Sequence, residues 1–359
     1  MVLFLRYQRE MNTKDYMDFF DELDDEDRLN ARLGIDKRRP YERISRKLAR
    51  EEHKFKQAQD DSRANLKTTY KPARFEEWWL LDSLGSFYEH KLISDVLRRV
   101  KGGKEASVYQ CRPGVEMDAP LVAAKVYRPR SLRNLKNDHE YRTGRIDLDE
   151  DGTALWKEAD VNAVLKRTAY GEEVRHTSWI AYEFKTLEIL HEAGADVPKP
   201  YAMEKNAILM RFIGDLATAA PTLNTLTLEW DEAKSLFERV VRNIDIMLAR
   251  DRIHGDLSAY NILYWDGEIT LIDFPQVVLP EANPASWNIF QRDVMRICQY
   301  FSTQAVDVDA RKLARDLWTS HGHKIVKEVH PKYLDADKAE DRRLWEKQKK
   351  SESQPGGAR

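Results

Sequence analysis

Cysteines and long apolar runs are scarce in this sequence. The chain has two cysteines in 359 residues, Cys111 and Cys298, which lie far apart and without the close spacing of metal ligands. This pattern gives little reason to expect a disulfide framework, so we expect a protein of the reducing cytoplasm. No apolar run approaches the ~20 residues of a membrane helix, and the opening MVLFLRYQRE has no cleavage-site pattern. We therefore expect neither a membrane span nor a signal peptide.

Net charge is also nearly absent, although the charges are unevenly distributed. The formal net charge is -2, while charged residues make up 33% of the chain, which is typical of a soluble globular protein. Residues 13–27 are mostly acidic, and residues 28–50 carry many Lys and Arg against only Asp36 and Glu42. A basic segment of this kind can bind a phosphate backbone. Most charge runs, however, are simply solvated, and both interpretations stay open.

Composition and periodicity divide the chain into four parts. Residues 1–74 form a charged, partly helical extension, and residues 331–359 form a charged tail that we expect to be partly disordered. Residues 75–213 open with an aromatic helical lead-in over 75–100, followed by the β-rich runs KGGKEASVYQCRPG and LVAAKVYRP, the helix SWIAYEFKTLEILHEAG and the strand NAILMRFIG. Residues 214–330 are mainly helical. We therefore predict an α+β fold with a β-rich first lobe and a mainly helical second lobe.

Three further segments shape this prediction. The charged stretch 144–176 interrupts the first lobe, and we expect an insertion or a mobile loop there. Apolar residues recur at helical spacing over 230–248, which predicts a long amphipathic helix. The run SWNIFQRDVMRICQYF, residues 286–301, predicts another.

The stretch HGDLSAYNILYWDGEITLIDF, residues 254–274, scatters polar side chains among apolar ones. Its Asp266-Gly267 pair between two β-rich runs is a strong signal for a two-residue hairpin. The arms would be residues 261–265 and 268–272, lying ~4.8 Å apart as neighbouring strands do.

Folding this hairpin would bring two oxygen-bearing side chains together at its open end. Asn261 would lie near Ile272, with Asp273 just beyond. A carboxamide oxygen and a carboxylate suit Mg²⁺, which takes one or two side-chain oxygens and fills its remaining positions with water and phosphate. Asp256, in the loop that enters the first arm, would lie near the same end without binding the metal.

A purely structural interpretation exists for each of these residues. Asp256 could cap a turn, Asn261 could satisfy backbone groups, and Asp273 could end a strand. Their convergence around one hairpin favours a metal–phosphate site instead. The spacing D-L-x-x-x-N, followed by an aspartate at a strand end, also matches the catalytic and metal-binding segments of protein kinases. Here HGD stands in place of HRD, and DFP in place of DFG.

Phosphoryl transfer also needs positive charge and backbone N–H groups around the phosphates. KGGKEASVY offers a glycine turn that enters a strand. Lys125, in AAKVY, lies on an expected half-buried strand, and Glu183 on the following helix could hold its ammonium toward the phosphates. Alternatively, Lys125 extends its ammonium to solvent. In NAILMRFIG the backbone of Arg211 and Ile213 could bind an adenine edge, unless this segment is a plain core strand.

Taken in order, GGKEASVY, AAKVY, the helix with Glu183, ILMRFIG, HGDLSAYNILY and LIDFPQ resemble the RIO family of atypical serine/threonine protein kinases. The resemblance covers about residues 80–301. It implies a bilobal kinase-like fold without a long activation loop, and the use of ATP with Mg²⁺ or Mn²⁺. It also implies phosphorylation of protein Ser/Thr, often of the kinase itself, or ATP hydrolysis that switches an assembly factor.

The resemblance also assigns roles to individual residues. It makes Asp256 the catalytic aspartate, which in this family can itself accept phosphate. It makes Lys125 the phosphate-anchoring lysine with Glu183 as its partner, and it makes Asn261 and Asp273 the metal ligands. The further cofactor-binding residues that it implies are Lys104, Glu105, Ser107, Val108, Met210, Arg211, Ile213 and Ser258.

Two other functions stay open. Small-molecule phosphotransferases of the aminoglycoside or choline kinase type also use an HGD…N…D arrangement. An ATP-switched factor for ribosomal or other RNA-containing assemblies would need little kinase activity and could contact its partner through residues 28–50. The segment after Asp273 is short and has no APE motif, so we expect no broad activity on peptides. GKEASVY resembles one branch of the family and IDFPQ another, which leaves the subfamily open.

Overall fold

The computed structural model describes residues 68–72, 74–103, 105–128, 145, 147–149, 152–166 and 168–325. The basic segment 28–50, Lys104 and the tail 331–359 lie outside the described residues, as does nearly all of the extension 1–74. The described residues form two compact units. The first unit contains those up to 128 together with 166–180 and 200–219, and the second contains those within 145–165, 181–199 and 220–325. The lobe boundaries drawn from the sequence stay a prediction.

The helices and strands follow one another in this order. The chain begins with helix α1 (Arg74–Glu89) and strands β1 (Ile93–Gly102), β2 (Ala106–Pro113) and β3 (Val122–Tyr127). Helices α2 (Glu158–Leu165) and α3 (Ala169–Glu192) and strands β4 (Pro200–Glu204) and β5 (Ala207–Arg211) come next. The chain continues with a 3₁₀ turn (Leu223–Thr225), helix α4 (Trp230–Ala249) and a second 3₁₀ turn (Ala259–Asn261). It ends, among the described residues, with the hairpin strands β6 (Ile262–Trp265) and β7 (Glu268–Leu271) and helices α5 (Ser286–Ser302) and α6 (Ala310–Ser320). Among the described helices, none combines the length and apolar character needed to cross a membrane.

The first unit is built on an antiparallel five-stranded sheet with the order β1-β2-β3-β5-β4. Helix α1 packs its apolar side chains against this sheet, since both contribute to one buried cluster: Trp79, Leu80, Leu84 and Phe87 from the helix, and Val96, Tyr109, Val122, Val126 and Leu209 from the strands. Burying this apolar surface is the main stabilising contribution to the unit. The cluster lies under the strand that carries Lys125.

The predicted helical lead-in over 75–100 is wrong in its second half. Helix α1 ends at Glu89, Lys91 adopts a left-handed backbone with φ of 55°, and β1 begins at Ile93. Ile93 and Val96 are buried in the sheet, where β-branched side chains pack well. The apolar pattern of this segment is compatible with a helix, but packing in the sheet determines that it forms strand β1.

The predicted insertion over 144–176 is not simply a loop. Its described part contains helix α2 and the beginning of α3, which starts at Ala169 and runs through the predicted helix to Glu192. The remaining sequence-based helices are confirmed: α4 spans Trp230–Ala249 and α5 spans Ser286–Ser302. Both present a buried apolar stripe to the second unit, where Phe237 and Phe301 meet edge to face with ring centroids 5.3 Å apart.

The predicted hairpin in the second unit is confirmed. Ile262 pairs with Leu271 and Trp265 pairs with Glu268, so the turn is Asp266-Gly267. Both turn residues have positive φ, 53° and 77°, as a type I′ turn requires. The N–H of Ile272 donates to the carbonyl of Asn261 at 2.9 Å, which extends the pairing to the open end.

Candidate active site

The loop that leads into the hairpin of the second unit brings Asp256 and Asn261 into contact. The Asn261 Nδ2 donates to the backbone carbonyl of Asp256 at 2.9 Å and lies 3.5 Å from its Oδ2. A 3₁₀ turn positions the asparagine, because the Asn261 N–H donates to the carbonyl of Ser258 at 2.9 Å. With its nitrogen directed at Asp256, the carboxamide has its Oδ1 as the atom that can serve a cation.

The carboxylate of Asp256 is also held from helix α5. The Arg296 Nη1 donates to Asp256 Oδ1 at 2.7 Å. Both side chains are partly exposed, 40% and 44%, so the pair contributes little to the free energy of unfolding. Its effect is to restrict the orientation of the acid.

The His254 ring connects this loop to the strand that carries Asp273. Its Nδ1 accepts from the N–H of Asp256 at 3.3 Å, and its Nε2 lies 3.1 Å from the carbonyl of Ile272. An amide N–H only donates and a carbonyl only accepts, so these contacts fit a neutral imidazole that carries its proton on Nε2. The ring is buried and packs on Phe274 with centroids 4.6 Å apart.

The glycine of HGD has a steric reason. Gly255 adopts φ of 84°, and a Cβ at this position would lie 2.1 Å from the carbonyl oxygen of Gln276. Its N–H donates to Asp293 Oδ2 at 2.9 Å, and its carbonyl accepts from Arg292. The arginine of an HRD motif does not fit here, because the chain after Asp273 returns directly over the glycine.

Asp293 holds the loop at Gly255, and no motif in the sequence identifies it. It is buried on α5, and burial raises the pKa of its carboxyl group, while the charge of Arg292 and its hydrogen bond to the carboxyl group oppose that rise. Its position in the sequence does indicate a buried role, since Asp293 lies in the apolar stripe of α5 between Phe290 and Ile297. A carboxylate at such a position must find buried donors.

Asp273 lies directly beyond the open end of the hairpin. It is exposed and has φ of 73°, a left-handed conformation that Asp and Asn adopt more readily than other side chains. The next residue, Phe274, is fully buried, and its N–H donates to Glu183 Oε1 at 3.4 Å. Asp256, Asn261, Asp273 and Glu183 therefore belong to one connected set in the second unit.

The donor chemistry around Asp273 and Asn261 suits a hard cation. No group of three or more His, Cys, Asp or Glu able to hold a metal is found in the part of the chain that the structure describes. The predicted ligand pair is one carboxylate and one carboxamide, which is the small all-oxygen set that Mg²⁺ uses beside phosphate and water.

The predicted phosphate-binding residues belong to the first unit. Lys125 on β3 is only 9% exposed, between the fully buried Ala124 and Val126, and its Nζ lies 5.3 Å from the centroid of the Tyr127 ring. The ammonium is therefore not simply extended into solvent. The expected pairing of Lys125 with Glu183 would join the two units and stays a prediction.

The glycine turn precedes β2 as expected. Lys104 lies outside the described residues. The carbonyl of Glu105 accepts from the Arg128 N–H at 2.9 Å, Ser107 is buried opposite Val126, and Val108 pairs with Lys125. These backbone pairs fix the start of β2 beside the lysine strand.

The predicted adenine-binding segment follows the end of β5. Met210 is buried and pairs with Ala123, Arg211 is exposed at the last position of the strand, and Ile213 lies just beyond it, partly buried. Ser258 is in the other unit, partly buried before the 3₁₀ turn. Their roles toward a nucleotide stay predictions.

Comparison with known proteins gives a consistent set of relatives. Residues 107–313 match the family described as RIO domain. The chain is 28% identical over 214 residues to the RIO-type serine/threonine-protein kinase Rio1 of Haloferax volcanii, covering 60% of this chain and 66% of that protein. It is 27% identical over 216 residues to the serine/threonine-protein kinase rio1 of Schizosaccharomyces pombe, covering 58% and 38%. The matches thus span less than two thirds of either relative.

A solved structure of the Rio2 kinase–ADP/Mg²⁺–phosphoaspartate complex from Chaetomium thermophilum is also similar. It shares 20% identity with a TM-score of 0.46, and the match covers 81% of this chain and 83% of that one.

Proposed function

The chain belongs to the RIO domain family, and from this premise we propose that it transfers the γ-phosphoryl group of ATP, with Mg²⁺ or Mn²⁺, to protein Ser/Thr, including its own, or to water. The observation that carries the proposal is the fixed relation of Asp256 to Asn261 at the mouth of the hairpin. It holds the Asp256 carboxylate within 3.5 Å of the amide group whose oxygen would bind the cation. Phosphoryl transfer requires both roles, one group that binds the metal and another that positions or activates the nucleophile.

The residues of the second unit would act as follows. Asn261 Oδ1 and the carboxylate of Asp273 would hold the divalent ion, which neutralises charge on the phosphates. Asp256, oriented by Arg296, would accept the proton of the attacking hydroxyl or water, or would itself attack as a nucleophile. The His254 ring contacts both the N–H of Asp256 and the carbonyl of Ile272, so it links the loop of Asp256 to the residue that precedes Asp273.

The residues of the first unit would bind the nucleotide. Lys125 would place its ammonium on the phosphates, with Glu183 as its partner, and the start of β2 would cover them with Glu105, Ser107 and Val108. The backbone at Arg211 and Ile213 would bind the adenine edge.

A narrow substrate range follows from the segment after Asp273. This segment reaches helix α5 at Ser286 and is folded back early, because Ile253 and Val278 exchange two backbone hydrogen bonds of 2.9 Å. An ordinary kinase docks peptides on a longer loop at this place. We therefore propose that the acceptor is the chain itself or a partner bound elsewhere. A ribosomal or RNA-containing partner at residues 28–50 and a cytoplasmic location stay predictions.

The test is incubation of the full chain with γ-labelled ATP and Mg²⁺. Label is followed on the protein, in released phosphate and on added small molecules such as choline or an aminoglycoside. Label on Ser/Thr, on an aspartyl group or in phosphate, lost in Asp256→Asn, supports the proposal. Label on a small molecule with none on protein or in phosphate would assign the chain to the small-molecule phosphotransferases, and no label anywhere would overturn catalysis.

A further inference from the structure

Arg145, from the described part of the insertion, is bound to the backbone that follows Asp273. Its Nε donates to the carbonyl of Val277 at 2.9 Å, and its Nη2 donates to the carbonyl of Pro275 at 3.0 Å and also to that of Val277. A guanidinium group thus spans two carbonyls within a few residues of the proposed cation ligand. All of these residues belong to the second unit.

The guanidinium is held in this place by helix α3. It lies over the ring of Tyr182, 4.6 Å from the centroid, a cation–π contact on a buried side chain. The adjacent residue on the same helix is Glu183, which accepts from the N–H of Phe274. Successive residues of α3 therefore hold the segment after Asp273, one directly and one through Arg145.

Three sets of contacts restrain the segment that runs from Asp273 to Val278. Glu183 fixes it at Phe274, Arg145 at two carbonyls, and Ile253 at Val278. Its first residue, Asp273, has a left-handed backbone with φ of 73°. When a contact that orients a metal ligand is lost, metal affinity typically falls 10- to 100-fold.

We propose that Arg145 is a positioning residue of the cation site: by binding the Pro275 and Val277 carbonyls it fixes the backbone that carries Asp273, so that divalent-cation affinity depends on Arg145. This inference rests on the proposed function, because it takes Asp273 as a cation ligand. The planar fork of arginine is required, because two carbonyls are bridged at once; a lysine ammonium offers one point charge.

The experiment measures binding of a fluorescent ADP analogue to the full chain while MgCl₂ is titrated, in wild type, Arg145→Gln and Arg145→Lys. We expect the half-saturating Mg²⁺ concentration to rise at least about tenfold in both variants, while affinity for the analogue without metal stays unchanged. Arg242→Gln is the matched control, because Arg242 also donates to a backbone carbonyl in the second unit, that of Gly194 at 3.2 Å. It should behave as wild type.

Amide hydrogen exchange in metal-free protein supplies a second measurement. Exchange at residues 274 and 276–278 should accelerate in both Arg145 variants and not in Arg242→Gln. Unchanged Mg²⁺ dependence in Arg145→Gln, or an equal loss of metal-free and Mg²⁺-dependent binding together with a lowered Tm, would overturn the inference. Wild-type binding that ignores Mg²⁺ would instead remove the metal assignment of Asp273, and accelerated exchange would then report a structural clamp only.

Discussion

Arg296 of helix α5 donates a 2.7 Å hydrogen bond to Oδ1 of Asp256. This bond joins a residue in the middle of a helix to an acid in a loop forty positions earlier. The same helix binds the neighbouring Gly255 from both sides, through the Asp293 carboxylate and the Arg292 guanidinium. The loop that carries Gly255 and Asp256 is therefore positioned by α5 as well as by its own hairpin.

Removing Arg296 should impair turnover more than folding. We expect Arg296→Ala to lower kcat by about tenfold to 10²-fold, since misplacing a reactive group by about 1 Å can cost that much. The Tm should change little, because the exposed ion pair is worth at most about 1 kcal/mol. Steady-state kinetics and thermal melts of Arg296→Ala beside Asp256→Asn check this. Wild-type kcat in Arg296→Ala would show that Asp256 is oriented without it.

Asp273 should be required for metal-dependent nucleotide binding. Asp273→Asn keeps a side chain that tolerates φ of 73°, but it removes the charge that binds the cation. We expect Mg²⁺ to lose its effect on ATP affinity in isothermal titration. Asp266→Asn is the matched control, because Asp266 is also an aspartate with positive φ, 53°, at the other end of the hairpin. Equal Mg²⁺ dependence in both variants would contradict the ligand assignment.

Lys125 should contribute to catalysis through its charge. Lys125→Met keeps the buried aliphatic stem while it removes the ammonium, and we expect a loss of at least ~10²-fold in kcat/KM, as for other positioned charge-stabilising groups. Lys205→Met removes an exposed lysine from the same unit and should have no such effect. Should Lys125→Met retain wild-type kcat/KM in the labelled-ATP assay, the phosphate role of Lys125 would be wrong.

Gly255 and Gly267 should respond differently to the same substitution. Both have positive φ, 84° and 77°, but a Cβ meets the Gln276 carbonyl oxygen at 2.1 Å at the first and nothing within 4 Å at the second. We expect Gly267→Ala to cost about 1 kcal/mol from backbone strain alone. Gly255→Ala adds a steric clash and should cost at least about 3 kcal/mol. Urea denaturation gives both values. Equal costs would show that the segment around Gln276 can shift to accommodate the added Cβ at little cost.

Asp196 should make part of the stability depend on pH. Burial alone would raise the pKa of Asp196, but hydrogen bonds from Arg239 and Asn243 and the charges of Arg239 and Arg242 bring it below its ordinary value of 3.8. Since the folded state holds the ionised form, this stabilisation is present above pH 3.8 and is lost as the pH falls through the lower, folded-state pKa.

Asp196→Asn should therefore destabilise the protein by roughly 1–3 kcal/mol at neutral pH. The difference from wild type should shrink below pH 3.8, where the wild-type carboxyl also becomes neutral. Denaturation curves at several pH values measure this difference in the free energy of unfolding. A difference that stays constant with pH would show that the charge of Asp196 does not contribute to stability. The backbone carbonyl of Asp196 also accepts from the N–H of Leu271 at 2.7 Å, which ties this residue to strand β7.

Local signals in the sequence were enough for several elements. Asp266-Gly267 predicts its hairpin because a type I′ turn needs two residues that accept positive φ. The apolar periodicity of α4 and α5 predicts both helices, and the D-L-x-x-x-N spacing identifies Asp256 and Asn261, whose contact the structure shows. Each of these features depends on neighbours close in sequence. The segment at Ile93, predicted as helix, is where long-range pairing with β2 overrode a local pattern.

Only the tertiary structure determines the contacts that hold these residues in place. Arg296, Asp293 and Arg145 carry no motif, and each acts on a loop that lies far away along the chain. The glycine of HGD likewise has its reason in the Gln276 carbonyl, which reaches it only after the chain has folded back. Sequence spacing sets the local geometry of a turn or a helix face, whereas the partner of a charged side chain is set by which surfaces pack together, and that depends on the whole core.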